Sequence, residues 1–200
     1  MKHIILNVVV FIFFSLMLIQ AAELDKRAPD FTLQDYNGKT YKLSDFKGKY
    51  VVLEWINFGC PFVQKHYNSG NMQTLQKKYT ENGVIWLSIC SSAEGKQGYY
   101  TAKELANIAK EQGVNSTAYL IDESGEVGKL YDAKTTPHMY IINPKGNLIY
   151  AGAIDDVRST NVEDVKTAKN YVSSVLNDCL AGKMVESAAT TPYGCSVKYK

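Results

Sequence analysis

Apolar and polar residues along this chain fall into a few distinct periods. Ile4 to Ile19 is apolar apart from Asn7 and Ser15. Phe31 and Leu33 then alternate with polar neighbours until Asn37-Gly38, an extended stretch closed by a turn. Tyr50 to Asn57 is β-branched and apolar nearly throughout, the pattern of a central strand buried on both faces. Gly59-Cys60-Pro61 switches the chain to a helical period. Proline suits a first helical turn, so Cys60 is the predicted N-cap. That helix is predicted to break at Asn68-Ser69-Gly70 and to resume through Met72, Leu75 and Tyr79. Val84 to Cys90 reads as a second buried strand, Thr101 to Gln112 as a short amphipathic helix, and Ala118 to Asp122 as a third strand. Thr136-Pro137 leads into a strand from His138 to Asn143. Pro144-Lys145-Gly146-Asn147 turns it back, and Leu148 to Ala153 returns. A last helix is predicted from about Asn161 to Leu180, with Val165, Ala168, Val172, Val175, Leu176 and Cys179 on one stripe. Lys183 to Lys200 has no clear period.

Strands alternating with helices predict an α/β layer fold with a mixed sheet, its last two strands forming a hairpin. The first segment has a different purpose. A short basic start, an apolar run and the small residues before Glu23 follow the order of a secretory signal cleaved near Ala22. Its apolar run is shorter than the roughly 20 residues of a membrane-spanning helix. The chain therefore divides into a signal (1–22), one domain (23–182) and a tail (183–200). A periplasmic or secreted location follows, with no stable membrane span after cleavage; the alternative is that the segment stays uncleaved as an N-terminal anchor. All four cysteines, Cys60, Cys90, Cys179 and Cys195, lie in the exported part, where disulfides persist.

Composition narrows the classes further. Forty-six per cent hydrophobic and 21% charged residues exclude a disordered or collagen-like chain. Twenty-two basic against 20 acidic residues give a net charge of +2, too balanced for a nucleic-acid partner. The 14 tyrosines are scattered and form no binding motif. Cys-x-x-Cys, zinc-type spacing and Gly-rich phosphate loops are all lacking, so neither cofactor nor metal is expected.

Cys60 stands where reactivity is built: directly after a buried strand, at a helix N-terminus whose free N–H groups and dipole favour a thiolate. Glu54, six residues earlier, shares a strand face with Ile56 and Phe58 beneath the Cys60 turn. A carboxylate in so apolar a strand has a raised pKa and could move protons for the thiol. Thr136-Pro137 reads as a cis-proline turn. His138 reads as exposed or satisfied and His66 as a surface residue. Arg158, after Asp155-Asp156, is either a cation fixed near the site or a solvated loop charge. Cys90 and Cys179 read as core. Cys195, in a loose tail, reads as a resolving or structural disulfide partner, although four cysteines permit three pairings.

Ala28-Pro29-Asp30-Phe31, Leu43-Ser44-Asp45-Phe46-Lys47-Gly48-Lys49 before Val51-Val52-Leu53, Cys60 at its turn and Thr136-Pro137 together resemble the thioredoxin-fold redoxins. More closely, they resemble the alkyl hydroperoxide reductase/thiol-specific antioxidant group and its peroxiredoxin-like relatives. Asp155-Asp156-Val157-Arg158 and Gly194-Cys195-Ser196-Val197-Lys198-Tyr199 resemble a peroxiredoxin-like subgroup. The resemblance implies a thioredoxin-like fold, a central mixed β-sheet flanked by helices. It also implies Cys60 as the attacking thiol, Pro137 as the cis-proline beside it, and Glu54 as the buried acidic residue. Two positions depart from it. Val63 stands where thioredoxins have a second Cys. Asn57 and Leu53 stand where peroxiredoxins have Thr and Pro, and Asn57 could still hydrogen-bond a peroxide.

The expected function is a thiol-dependent oxidoreductase whose Cys60 thiolate attacks a peroxide or a disulfide. Peroxide is slightly favoured because Val63 removes the local resolver. Cys195 or an external thiol would resolve the product, and an external thiol would reduce it. The rival is a non-catalytic thioredoxin-like module binding a partner protein, or Cu(I) through Cys60.

Overall fold

The computed structural model describes residues 21–200. The apolar run Ile4 to Ile19 and most of the predicted signal lie outside the described residues, and among those described no helix is long and apolar enough to cross a membrane. The strands are β1 (Thr32–Asp35), β2 (Thr40–Lys42), β3 (Val51–Trp55), β4 (Ile85–Cys90), β5 (Ala118–Ile121), β6 (Thr135–Thr136), β7 (His138–Ile142), β8 (Leu148–Gly152), β9 (Ala188–Ala189) and β10 (Cys195–Ser196). The helices are α1 (Pro61–Asn68), α2 (Asn71–Glu81), α3 (Ala102–Glu111), α4 (Glu126–Leu130) and α5 (Tyr171–Leu180).

One mixed sheet runs β2-β1-β5-β4-β3-β7-β8-β9, and β10 pairs separately with β6. β3 lies at its centre, parallel to β4 and antiparallel to β7. All five of its residues are buried, Glu54 among them, as a run apolar nearly throughout predicts. The two faces part by alternation. Val51, Leu53 and Trp55 pack with Phe31, Leu43, Val127 and Tyr131. Val52 and Ile56 pack with α1, α2 and α5 through Val63, Tyr67, Met72, Leu75 and Leu176. Glu54 faces this second side.

Punctuation in the sequence becomes caps in the fold. Thr101 and Glu104 form a reciprocal capping box at the start of α3. Gly70, at φ +73°, turns the chain between α1 and α2 where the break was predicted.

Two expectations change. The last helix begins at Tyr171 rather than near Asn161, because the Asn170 side chain accepts the Ser173 N–H at 2.8 Å and starts it there. Val162–Lys166 before it is a separate 3-10 turn. The tail is not loose. β9 pairs with β8, β10 pairs with β6, and Tyr193 is buried.

Candidate active site

The turn after β3 is built around Asn57. Its backbone carbonyl accepts the Cys60 N–H at 2.9 Å, and its side-chain Oδ1 accepts the Gly59 N–H at 2.8 Å. Its Nδ2 donates to Gln97 O at 3.0 Å, while Gln97 Nε2 donates back to Gly59 O at 2.8 Å. Both ends of the carboxamide are thus committed to holding the turn against the 93–99 loop, not to a substrate. Gly98, at φ +85°, makes that approach possible: a Cβ there would lie 2.2 Å from Asn57 Oδ1.

Cys60 follows as the extended N-cap of α1 with Pro61 in the first turn, as its sequence context predicts. The peptide Thr136–Pro137 is cis, and the Cys60 thiol donates to Thr136 O at 3.1 Å. β10 lies along the same element, with Cys195 opposite Thr136 in antiparallel register. Gly194 sets the close approach. Its φ is +140°, and a Cβ on it would fall 2.0 Å from Thr136 O. Val197 N donates to Lys134 O at 3.1 Å, Ala93 N to Lys198 O at 2.9 Å and Tyr199 Oη to Ala133 O at 2.7 Å. Residues 193–199 form a strap over Cys60, which is fully buried beneath it.

The two thiols are pushed in opposite directions. Burial raises Cys60, but hydrogen bonds from the Cys195 thiol and from the Val63 and Cys195 backbone N–H groups oppose it, and its pKa falls below the ordinary thiol value. Burial, then the hydrogen bond to Cys60 and its charge, raise Cys195 to about 11. All four cysteines are free thiols. The Thr136 hydroxyl is buried and has no hydrogen-bond partner among the described residues.

Glu54 is wholly buried in a cage of donors. Tyr67 Oη donates to Oε1 at 3.1 Å. Gln76 Nε2, Trp86 Nε1 and Ser88 Oγ donate to Oε2 at 2.9, 2.8 and 3.0 Å. Burial raises its pKa and these donors oppose the rise, which accords with the strand-face reading.

The remaining candidates scatter. Arg158 is exposed on the loop after Asp155. The cation buried nearby is instead Lys65, whose Nζ lies 3.1 Å from Asp155 Oδ2 and donates to Val157 O at 2.8 Å. His66 is buried, not on the surface: α1 turns it inward beneath Tyr193. His138 is satisfied, with Nδ1 3.0 Å from Tyr140 Oη. Cys90 and Cys179 are core residues. Sequence reasoning missed Lys65, His66 and Tyr193, because helical Lys and His normally face water and tyrosine has no motif here. Among the described residues, no group of three or more His, Cys, Asp and Glu side chains could hold a metal.

Residues 24–151 match the family model of the AhpC/TSA family. The thiol-disulfide oxidoreductase ResA of Bacillus subtilis (strain 168) is 32% identical over 122 residues, which is 61% of this chain and 63% of that relative. The match thus spans less than two thirds of that relative's length. The peroxiredoxin Bcp of the same organism is 28% identical over 130 residues, 54% of this chain and 83% of its own. The crystal structure of an uncharacterized conserved protein from Geobacillus kaustophilus superposes with a TM-score of 0.75 at 30% identity, covering 89% of this chain and 93% of that one.

Proposed function

The chain belongs to the AhpC/TSA family of thioredoxin-like proteins, and on that premise we propose that it is an exported thiol-dependent oxidoreductase whose redox pair is Cys60 and Cys195. The observation carrying this reading is the β10–β6 pairing, which seats Cys195 on Thr136, the residue whose carbonyl the Cys60 thiol already contacts. Placement assigns the roles: Cys60 caps the N-terminus of α1, where free N–H groups and the dipole favour the thiolate that attacks first, and Cys195 on β10 has no such support and resolves.

Attack of the Cys60 thiolate on a hydroperoxide breaks the O–O bond. Sulfur loses two electrons to become a sulfenic acid, and the other oxygen leaves as water or alcohol. The charge that held up the Cys195 pKa is then gone, so Cys195 ionises more readily. It attacks the sulfenic sulfur, the S–O bond breaks, an S–S bond forms, and hydroxide leaves to take up a proton as water. An external thiol returns two electrons to the disulfide. Burial of Cys60 beneath the strap supports a small oxidant as the first reactant. The unpartnered Thr136 hydroxyl is the polar group available to it, since Asn57 is committed to its turn. The likeness to ResA supports a second reading, thiol–disulfide exchange with a larger partner, which requires the strap to lift.

The test is one equivalent of hydrogen peroxide added to reduced protein, followed by non-reducing digestion and mass spectrometry. A rapid Cys60–Cys195 link, lost in both Cys60→Ser and Cys195→Ser, is the expected result. A Cys60 that stays a free thiol overturns the peroxide reading, and consumption of peroxide by Cys60→Ser overturns the assignment of the nucleophile.

A further inference from the structure

Beside the redox pair lies a buried group of charges that the chemistry above does not use. Lys65 and Asp155 form an ion pair with side-chain exposures of 0% and 2%. Taking two such charges out of water is favourable only when every polar atom is satisfied. Asp155 Oδ1 accepts the Val157 N–H at 3.1 Å and also the Tyr193 hydroxyl, while Oδ2 faces Lys65 at 3.1 Å and His66 Nε2 at 3.8 Å. His66 Nε2 lies 3.4 Å from Tyr193 Oη, and its Nδ1 is held by Asn71 Nδ2 at 3.0 Å. The Tyr193 ring stands edge-on to Phe62 at 5.8 Å and beneath the Lys65 ammonium at 5.6 Å. Phe62, Lys65 and His66 all belong to α1, the helix whose first turn presents Cys60.

Tyr193 is therefore bound to the body that carries the nucleophile, and it precedes the other thiol by two residues. Two residues of extended chain span only about 7 Å, and Gly194 between them is seated against Thr136. We propose that Tyr193 is the positioning residue of the resolving step: its hydroxyl, locked into the Lys65–Asp155–His66 cluster, holds Cys195 in reach of Cys60. The inference rests on the Cys60–Cys195 reading and deepens it by naming what sets their separation. A hydrogen bond to a buried carboxylate is among the stronger bonds a tyrosine can make. Its loss frees the strap on one side of Cys195 while the Val197 and Tyr199 contacts retain the other.

Tyr193→Phe tests this, because phenylalanine keeps the ring against Phe62 and deletes only the hydroxyl. Stopped-flow oxidation by hydrogen peroxide, with acid quench and mass spectrometry, separates the two steps. The first, loss of the Cys60 thiol, is expected to proceed at least as fast as in wild type, because a freed strap uncovers Cys60, and a cooperative thermal transition shows that the variant is folded. The second, formation of the Cys60–Cys195 link, is expected to slow about tenfold or more, so that the sulfenic acid accumulates. The equilibrium of the pair with glutathione should move toward the dithiol by a similar factor, a readout that a purely structural role for Tyr193 would leave unchanged. A link that forms in Tyr193→Phe at the wild-type rate and with the wild-type glutathione equilibrium overturns the proposal. Absence of the link in the wild-type protein instead overturns the underlying reading of the pair, and the proposal with it.

Discussion

Replacing Gly194 with alanine should unseat the strap and leave the rest of the fold in place. The new Cβ would lie 2.0 Å from Thr136 O and 2.7 Å from Thr136 C, both backbone atoms that cannot rotate away. The φ of +140° adds a penalty for any L side chain of about 1–3 kcal/mol. Against this stand the bonds of Val197 N, Ala93 N and Tyr199 Oη, each with a net contribution of about 0.5–1.5 kcal/mol, and the Tyr193–Asp155 bond at about 1.5–3 kcal/mol. A docked state weakened by about 2–3 kcal/mol opens about 30- to 150-fold more often. Alkylation of a fully buried thiol proceeds through such openings and follows their population when reclosing is fast. Iodoacetamide labelling of the reduced protein, read at the Cys60 peptide, should therefore accelerate by the same factor. A Gly194→Ala protein with a cooperative thermal transition and a Cys60 labelling rate within threefold of wild type would refute the reasoning.

Two further outcomes follow from the buried titratable groups. Glu54→Leu orphans the donors of Tyr67, Gln76, Trp86 and Ser88 and should lower unfolding free energy in urea by at least about 3 kcal/mol. Glu54→Gln, which can still accept from Trp86 and Ser88, should recover part of that loss. The raised pKa of Glu54 means that its contribution is fully present below the ordinary carboxylate range and is lost as pH rises through its folded-state value. The wild type should thus lose ground against the Gln variant on going from acid to neutral pH. His138 runs the other way, since burial lowers its pKa from 6.5 to about 4, and its contribution is lost as pH falls through that window. The stability advantage of wild type over His138→Gln should shrink between pH 6.5 and pH 4 in urea titrations; a constant difference would mean that folding does not lower the pKa of this imidazole.

What the sequence reveals of this molecule follows the range of the forces involved. β3, the Cys60 turn and α1 are legible because each is written in neighbouring residues: a run apolar nearly throughout, then Gly59 and Pro61 at the switch. The cis-proline turn and the burial of Glu54 are legible for the same reason. Residues 193–199 are not, because their structure is conferred by partners far away in sequence. Tyr193 meets Asp155, Cys195 meets Thr136, and Tyr199 meets Ala133. Lys65 and His66 look like solvent-facing helix residues until the strap covers them. Gly194 is one glycine among 14 in the sequence, and only its contact with Thr136 distinguishes it.

The Glu54 cage has a consequence for the fidelity of strand alignment. Glu54 stands opposite Ser88 in the parallel β3–β4 ladder, with Trp86 one pleat away on the same face. A slip of β3 by one residue would exchange its two faces, both buried and apolar, and would carry Glu54 to the side that holds none of its donors. A slip of two residues keeps every face correct and replaces Glu54 with Val52 or Ile56, which hydrophobic burial hardly distinguishes from the native alignment. Such a slip leaves four donors from β4, α1 and α2 facing a hydrocarbon side chain, and a carboxylate facing an apolar layer. One polar residue thus works as an indexing pin for the central sheet, giving a single value to an alignment that the apolar residues around it leave degenerate.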